Sequence, residues 1–238
     1  MWAQIKTEAY KVCHQPLIII FLALPILLFV YEVSFSERLM ERANLWQEFF
    51  NLGHSAALYS YLMAKISIFN LILLVLFCFQ YVRMEQQNSC TNALFTLPVK
   101  TGTVYFAKVT ALWVVVLLNN LIIFATLSTA VLFGKADTIP SSLPFLYYSA
   151  GCIMLASFHY TLANLTRNLI YYLFIFIALY AASFLLESPF LPHSYCNGFV
   201  TGYPETGTRL VVYFLWVTPV YTVFFTILGY VTFKRINL

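Results

Sequence analysis

Few residues in this 238-residue chain occur in patterns that perform chemistry. His159 and Asn164 are the best candidates for an enzyme acting within a membrane, but no carboxylate lies near them in sequence. The chain contains no G-x-x-x-x-G-K-[ST] phosphate loop, no G-x-S-x-G nucleophile elbow and no H-E-x-x-H zinc motif. We therefore predict a protein that is not an enzyme and has no cofactor of its own.

The five cysteines do not suggest metal or redox chemistry. No two of them have C-x-x-C spacing, and no cluster of Cys, His or carboxylate residues is visible. Cysteine is among the most buried residue types, so we expect small packing residues and no metal site. The cysteines are Cys13, Cys78, Cys90, Cys152 and Cys196.

The composition indicates a membrane protein. The chain is 61% hydrophobic and only 9% charged, whereas soluble domains contain about 25% charged residues. Because roughly 20 apolar residues cross a bilayer as a helix, the hydropathy pattern predicts an all-α protein with six spans. These spans are residues 17–31, 57–82, 104–133, 145–163, 169–186 and 210–233.

Residues 1–16 are predicted to form an amphipathic helix that lies in the membrane interface before the first span. Apolar residues recur there at spacings of three and four, while Lys6 and Lys11 lie off that face. Pro16 is expected to end the helix. The apolar face consists of Trp2, Ile5, Ala9 and Val12.

Three polar residues within the predicted spans could have either a structural or a transport role. Lys65 in span two either extends to the outer interface or lines a cavity and meets an anionic group. Asn119 and Asn120 in span three either hydrogen-bond a neighbouring helix or contact cargo. Outside the spans, residues 187–209 combine prolines and glycines with apolar residues, so this extracellular segment could re-enter the membrane.

The basic residues predict the orientation. If both termini are cytosolic, eight basic residues lie inside and five outside, as the positive-inside rule favours. The inner set is Lys6, Lys11, Arg83, Lys100, Lys108, Arg167, Lys234 and Arg235, and the outer set is Arg38, Arg42, Lys65, Lys135 and Arg209.

Residues 81–108 form a long polar interval between spans two and three, and we expect them to receive force from a partner. Glu85 closes span two, Asn88 or Ser89 can cap a short helix, and Pro98 ends it. Residues 101–103 are expected to form a turn before span three. The short helix would carry an apolar patch of Leu94, Phe95 and Leu97.

This interval resembles the coupling region of the membrane subunits of type-2 ATP-binding-cassette exporters. That family commonly shows an acid at the end of span two, a Leu-x-x-Pro-type stop, a basic residue and an aromatic-x-x-Lys sequence. The corresponding residues here are Glu85, Leu94 to Pro98, Lys100, and Tyr105 to Lys108. Two features differ: a Gly-Thr after the acid is missing, and the usual Ser-Arg reads Lys100-Thr101.

The resemblance implies a single permease domain, residues 1–238, with residues 84–103 as the cytosolic coupling segment. It also implies a separate cytosolic ATPase that binds ATP and Mg, and a second permease subunit, identical or related. Spans two and five would face each other across that dimer. No nucleic-acid partner is expected.

The small size is similar to that of bacterial plasma-membrane permeases for lantibiotic- or bacitracin-type peptide-antibiotic immunity and export. The resemblance thus implies export of an amphipathic peptide or lipid-like substrate. The alternatives are a carrier or channel that works alone, and a non-transporting assembly subunit.

Overall fold

The computed structural model describes residues 2–34, 54–87, 100–133, 142–166, 168–186 and 216–236, together with residues 41, 42, 44, 45 and 48. Apart from short turns these residues are helical, and none of them forms a strand. The predicted all-α class is thus confirmed for the described part of the chain. The longer helices are α1 (Trp2–Cys13), α2 (Pro16–Ser34), α3 (His54–Gln87), α4 (Thr101–Phe133), α5 (Ser142–Thr166), α6 (Leu169–Leu186) and α7 (Thr218–Ile236).

The helices begin and end where the sequence provides the signals. Pro16 separates α1 from α2 and is the first residue of α2, a position where its missing N–H costs no hydrogen bond. Between α5 and α6, Asn168 caps the following helix, because its Oδ1 accepts a hydrogen bond from the Ile170 N–H at 2.8 Å.

In the part of the chain that the structure describes, two helices, α3 and α4, are long and apolar enough to cross a membrane. The qualifying stretches are Tyr61–Met84 and Thr101–Thr129, and shorter apolar helices run over Pro16–Glu32 and Leu169–Ser183. The α3 helix has 34 residues and α4 has 33. Since about 20 residues suffice for a bilayer, both helices are long enough to extend beyond the hydrocarbon region.

The helices pack with small and aromatic side chains at their contacts. α5 packs most extensively against α7, α2 lies against α3 and α4, and α1 lies on α4. Ala156, Ser157 and Ala163 of α5 are buried, and small residues of this kind let neighbouring helices approach closely. Between α2 and α3, the rings of Phe21 and Phe77 stack with centroids 5.5 Å apart.

The outer surface of the bundle is apolar while polar side chains are buried inside it. Ile170 is 77% exposed, Phe174 71% and Leu185 79%, whereas Asn119 is fully buried. A water-soluble protein rarely exposes so much contiguous apolar surface. The exposed apolar surface therefore suits lipid as its surroundings and supports the prediction of a membrane protein.

One local prediction was wrong. Residues 101–103 form the first turn of α4 and not a separate turn, because the Lys100 carbonyl already accepts the Thr103 N–H at 2.9 Å.

Candidate functional site

The predicted coupling segment, residues 84–103, is described at its two ends. At its start, α3 continues through residues 84–87, so Glu85 lies in the last turn of that helix and does not end it. Lys100 is exposed and immediately precedes α4. Ser89, Leu94, Phe95, Leu97 and Pro98 lie outside the described residues.

The Tyr105–Lys108 motif packs the start of α4 into the bundle. Tyr105 is 1% exposed, and its hydroxyl donates a hydrogen bond to the Thr226 carbonyl of α7 at 2.8 Å. Its ring also contacts Tyr160 of α5 and Phe233 of α7, with centroids 6.0 Å and 5.6 Å apart. The aromatic residue of the motif thus joins α4 to α5 and α7.

Lys108 and Glu8 are a pair of buried charges at the same end of the bundle. The Lys108 side chain is 1% exposed and that of Glu8 is 5%, and their charged atoms lie 3.9 Å apart. Glu8 also accepts hydrogen bonds from Lys11 at 2.7 Å and from the Tyr81 hydroxyl at 3.0 Å. This set, Glu8, Lys11, Tyr81 and Lys108, is called the Glu8 cluster below.

Glu8 was missed as a site residue, although the sequence contained a signal. It lies three residues after Ile5 and four before Val12, so it shares the helical face that was predicted to be apolar. A lone acid on such a face requires a partner once the face is buried. The partners, Tyr81 and Lys108, are too distant in sequence to be identified from periodicity.

Lys65 forms an ion pair with Glu32 of α2. Its ammonium group also lies 4.9 Å from the centre of the Tyr61 ring. The Tyr61 hydroxyl in turn accepts a hydrogen bond from Arg42 at 3.0 Å, which raises the pKa of the Arg42 guanidinium above its ordinary value. Lys65 therefore has an anionic partner within the chain, in a cluster at the opposite end of α3 from Tyr81.

The two adjacent asparagines of α4 differ in their contacts. Asn119 donates a hydrogen bond to Asn70 of α3 at 2.6 Å, and Asn70 donates one to the Tyr148 hydroxyl of α5 at 2.7 Å. Asn119 thus hydrogen-bonds a neighbouring helix, which is the first of the two roles predicted for it. Asn120 is fully buried beside the Cys152 thiol, a weak hydrogen-bonding group. Neither of its polar atoms has a nitrogen or oxygen partner among the described residues.

His159, considered above as a catalytic candidate, is part of a buried aromatic cluster. Its Nδ1 lies 3.1 Å from the Tyr172 hydroxyl, and the Phe158 and Phe176 rings pack edge-on against it. Asn164 donates a hydrogen bond to the Tyr160 carbonyl within α5. Both residues have structural contacts, and no His, Cys, Asp or Glu trio that could hold a metal occurs among the described residues.

An open groove of about 640 Å³ lies where α3 ends and α6 begins. Its polar residues are Gln80, Arg83 and Asn168, and Arg83 lies 6.0 Å from the centre of the Phe79 ring. The remaining lining is mostly apolar: Leu17, Leu76, Phe79, Met84, Leu169 and Ile170. Such a surface suits an amphipathic molecule or another apolar helix.

The comparisons with known proteins identify one related family. A family profile described as "ABC-2 family transporter protein" matches residues 4–186, which is about three quarters of the chain. The matched range includes the whole predicted coupling segment and the Glu8 cluster. No curated protein matches the sequence.

Proposed function

The chain belongs to the ABC-2 family of transporter proteins, and from this premise we propose that it is the permease subunit of an exporter for an amphipathic peptide or lipid-like molecule. Proteins of this family are membrane components of ABC transporters and work with an ATP-binding-cassette ATPase. That ATPase would bind ATP and Mg and hydrolyse the nucleotide, while this chain would move the cargo.

One observation carries the proposal. The family match spans residues 84–103, and the two helices that flank this segment are the long apolar ones, α3 and α4. A push on a short segment between two rigid helices is passed to both of them as a rigid-body displacement. The Leu94, Phe95 and Leu97 patch would be the surface that the ATPase contacts.

We further propose six spans, formed by α2 to α7, with both termini in the cytosol. Two observations support this orientation: the count of eight inner against five outer basic residues, and Lys234 and Arg235 in the last turn of α7. In this orientation Lys100 and the Glu8 cluster face the cytosol, and the Glu32–Lys65 pair lies at the outer side.

The groove between α3 and α6 suggests where cargo and a second permease subunit would meet. These helices correspond to spans two and five, which the family resemblance brings together across a dimer. Arg83 and the apolar lining would suit a molecule with an apolar body and a polar or anionic group. A peptide-antibiotic cargo in a bacterial plasma membrane agrees with this chemistry and is the class we propose.

The proposal is tested by purifying the tagged full chain from its native membrane in mild detergent. We expect an ATPase to co-purify, with vanadate-sensitive activity. Changing Leu94, Phe95 and Leu97 together to serine is expected to abolish that activity, because the partner would lose its apolar contact.

The matched control shortens three exposed apolar residues of α7, Val220, Phe224 and Ile227, to alanine. They are exposed in the structure and lie away from the coupling segment, so the ATPase should remain bound. A wild-type chain that moves cargo with no ATPase, or a serine variant that keeps its ATPase, would overturn the proposal.

A further inference from the structure

We infer that Glu8 is a positioning residue that joins the two helices on either side of the coupling segment, so that α1, α3 and α4 move as one body. The inference rests on the proposed function, because it concerns how force from the ATPase is transmitted. It adds a role for α1 beyond that of an interfacial anchor.

The link to α3 is the hydroxyl of Tyr81. It donates a hydrogen bond to Oε2 of Glu8 at 3.0 Å, and Tyr81 lies three residues before the coupling segment begins. The Tyr81 side chain is itself held in place, since it stacks on Phe77 and contacts Tyr160 of α5. A displacement of the end of α3 is therefore transmitted to the Glu8 carboxylate.

The link to α4 is the ammonium group of Lys108. It lies 3.9 Å from Oε1 of Glu8 and 5.9 Å from the centre of the Phe233 ring of α7. Lys108 is five residues beyond the end of the coupling segment and is fully buried. One carboxylate of α1 thus contacts the helix that enters the segment and the helix that leaves it.

The burial of these two charged groups makes their separation costly. Charged groups removed from water are tolerated when they are paired, and removing one partner leaves the other charge buried and uncompensated. Glu8 and Lys108 are nearly or fully buried, whereas Lys11 of the same cluster is 28% exposed and reaches solvent. The pair therefore resists separation, and relative sliding of α1 and α4 at this point is disfavoured.

For α3 and α4 to move together under a push on the coupling segment, the ends of the two helices must be constrained relative to each other. The Glu8 carboxylate supplies that constraint from a third helix. We therefore expect a push on the segment to displace α1 together with the ends of α3 and α4.

The experiment is hydrogen–deuterium exchange on the full permease–ATPase complex in nanodiscs, nucleotide-free and trapped with ATP and vanadate. In the wild type, peptides covering residues 2–13, 81–87 and 101–108 should change protection together on trapping. In Glu8→Gln the response of residues 2–13 should fall about tenfold, the loss expected when a charge-assisted contact is removed. ATPase association should remain.

Two further variants, one single and one double, test the geometry and remain informative if Glu8→Gln does not assemble. Tyr81→Phe removes the hydroxyl that contacts Glu8. On trapping, the protection of residues 81–87 should then change independently, while residues 2–13 and 101–108 should still change together. Glu8→Lys combined with Lys108→Glu restores opposite charges and should recover the joint response of α1 and α4. The matched control is Glu41→Gln, which removes an exposed carboxylate outside the cluster.

The outcomes separate this inference from the proposed function. If no ATPase co-purifies with the wild type, the proposed function fails. If the ATPase binds but residues 2–13 do not respond to trapping in the wild type, the positioning role is wrong. An unchanged response in Glu8→Gln, or a loss in both Glu8→Gln and the charge-swapped variant, equally overturns it.

Discussion

The hydroxyl group of Tyr105 donates a hydrogen bond to the backbone carbonyl of Thr226 at 2.8 Å, and so joins α4 directly to the backbone of α7. Three residues beyond Thr226, at Gly229, the α7 backbone lies against the same hydroxyl. A Cβ atom at Gly229 would lie 2.4 Å from the Tyr105 hydroxyl oxygen and 2.6 Å from Oγ1 of Thr161. The close contact of α4, α5 and α7 therefore requires glycine at this position.

The first prediction is that Gly229→Ala destabilises the bundle. The added methyl group forces Tyr105 and Thr161 away from α7, and such overpacking lowers the free energy of unfolding by about 1–3 kcal/mol. Thermal unfolding of the detergent-solubilised chain, followed by size-exclusion chromatography, measures the loss. Adding Tyr105→Phe should restore part of the stability, because it removes the nearest atom.

Gly102→Ala is the matched control for that prediction. A Cβ at Gly102 would meet the Tyr230 ring at 3.6 Å, which is ordinary van der Waals contact. Alanine also favours helix over glycine by roughly 0.5–1 kcal/mol, so stability should stay equal or rise. Equal losses in both alanine variants would contradict the packing at Gly229.

Local patterns in the sequence located some helix boundaries. Pro16 as the break between α1 and α2, and the start of α6 at Leu169, depend on turn residues within a few positions. Residues 101–103 were predicted to form a turn because Thr-Gly-Thr is compatible with one. The packing of α4 against Tyr230 and Phe233 of α7 instead extends the helix to Thr101.

The partners of the polar residues could not be predicted from the sequence. Glu8 and Lys108 are 100 residues apart, and Asn70 and Tyr148 are separated by 78. Such contacts depend on how the helices are arranged in three dimensions, which a single sequence does not specify. For the same reason, the sequence could not distinguish Asn119, which hydrogen-bonds to the Asn70 amide, from Asn120, which has no such partner among the described residues.

The second prediction uses this difference between the two asparagines. Asn119→Leu leaves Asn70 Oδ1 without its donor, so the free energy of unfolding should fall by about 1–2 kcal/mol. Asn120→Leu removes two polar atoms that lack a nitrogen or oxygen partner among the described residues, so stability should be unchanged or higher. Thermal unfolding of the two single variants provides the comparison. Leucine is similar in size to asparagine, so the two variants differ mainly in the hydrogen bonds that they remove.

Transport assays then distinguish structure from cargo contact. If Asn120→Leu keeps the thermal stability but loses cargo export, Asn120 contacts cargo. If both variants lose the same amount of stability, the hydrogen-bond assignment to Asn119 is incorrect.

The third prediction concerns the pair formed by Glu32 and Lys65. Lys65→Met should leave the Glu32 carboxylate, with a side chain 11% exposed, without its cation. Because the Lys65 side chain is 33% exposed, solvent screens the pair, and the expected coupling free energy is about 1 kcal/mol. A double-mutant cycle with Glu32→Gln measures it through thermal unfolding. If the stability loss of the double variant equals the sum of the losses of the two single variants, the pair contributes nothing to stability.

The fourth prediction tests the orientation of the chain through single cysteines at Glu41 and Lys100. Both side chains are exposed in the structure, so a membrane-impermeant maleimide reaches either one if it is on the accessible side. The background replaces the five native cysteines, of which Cys78 and Cys152 are buried. If the variant without native cysteines unfolds at the same temperature as the wild type, the replacements are tolerated.

In intact cells, position 41 should be labelled within minutes, while position 100 should react only after the membrane is permeabilised. The reason is electrostatic, because the positive-inside bias holds Lys6, Lys11 and Lys100 on one side of the bilayer. A cysteine at Lys6 should therefore behave like the one at Lys100. Labelling of position 100 in intact cells would place the coupling segment where no cytosolic ATPase reaches it, and the force-transfer mechanism would then be wrong.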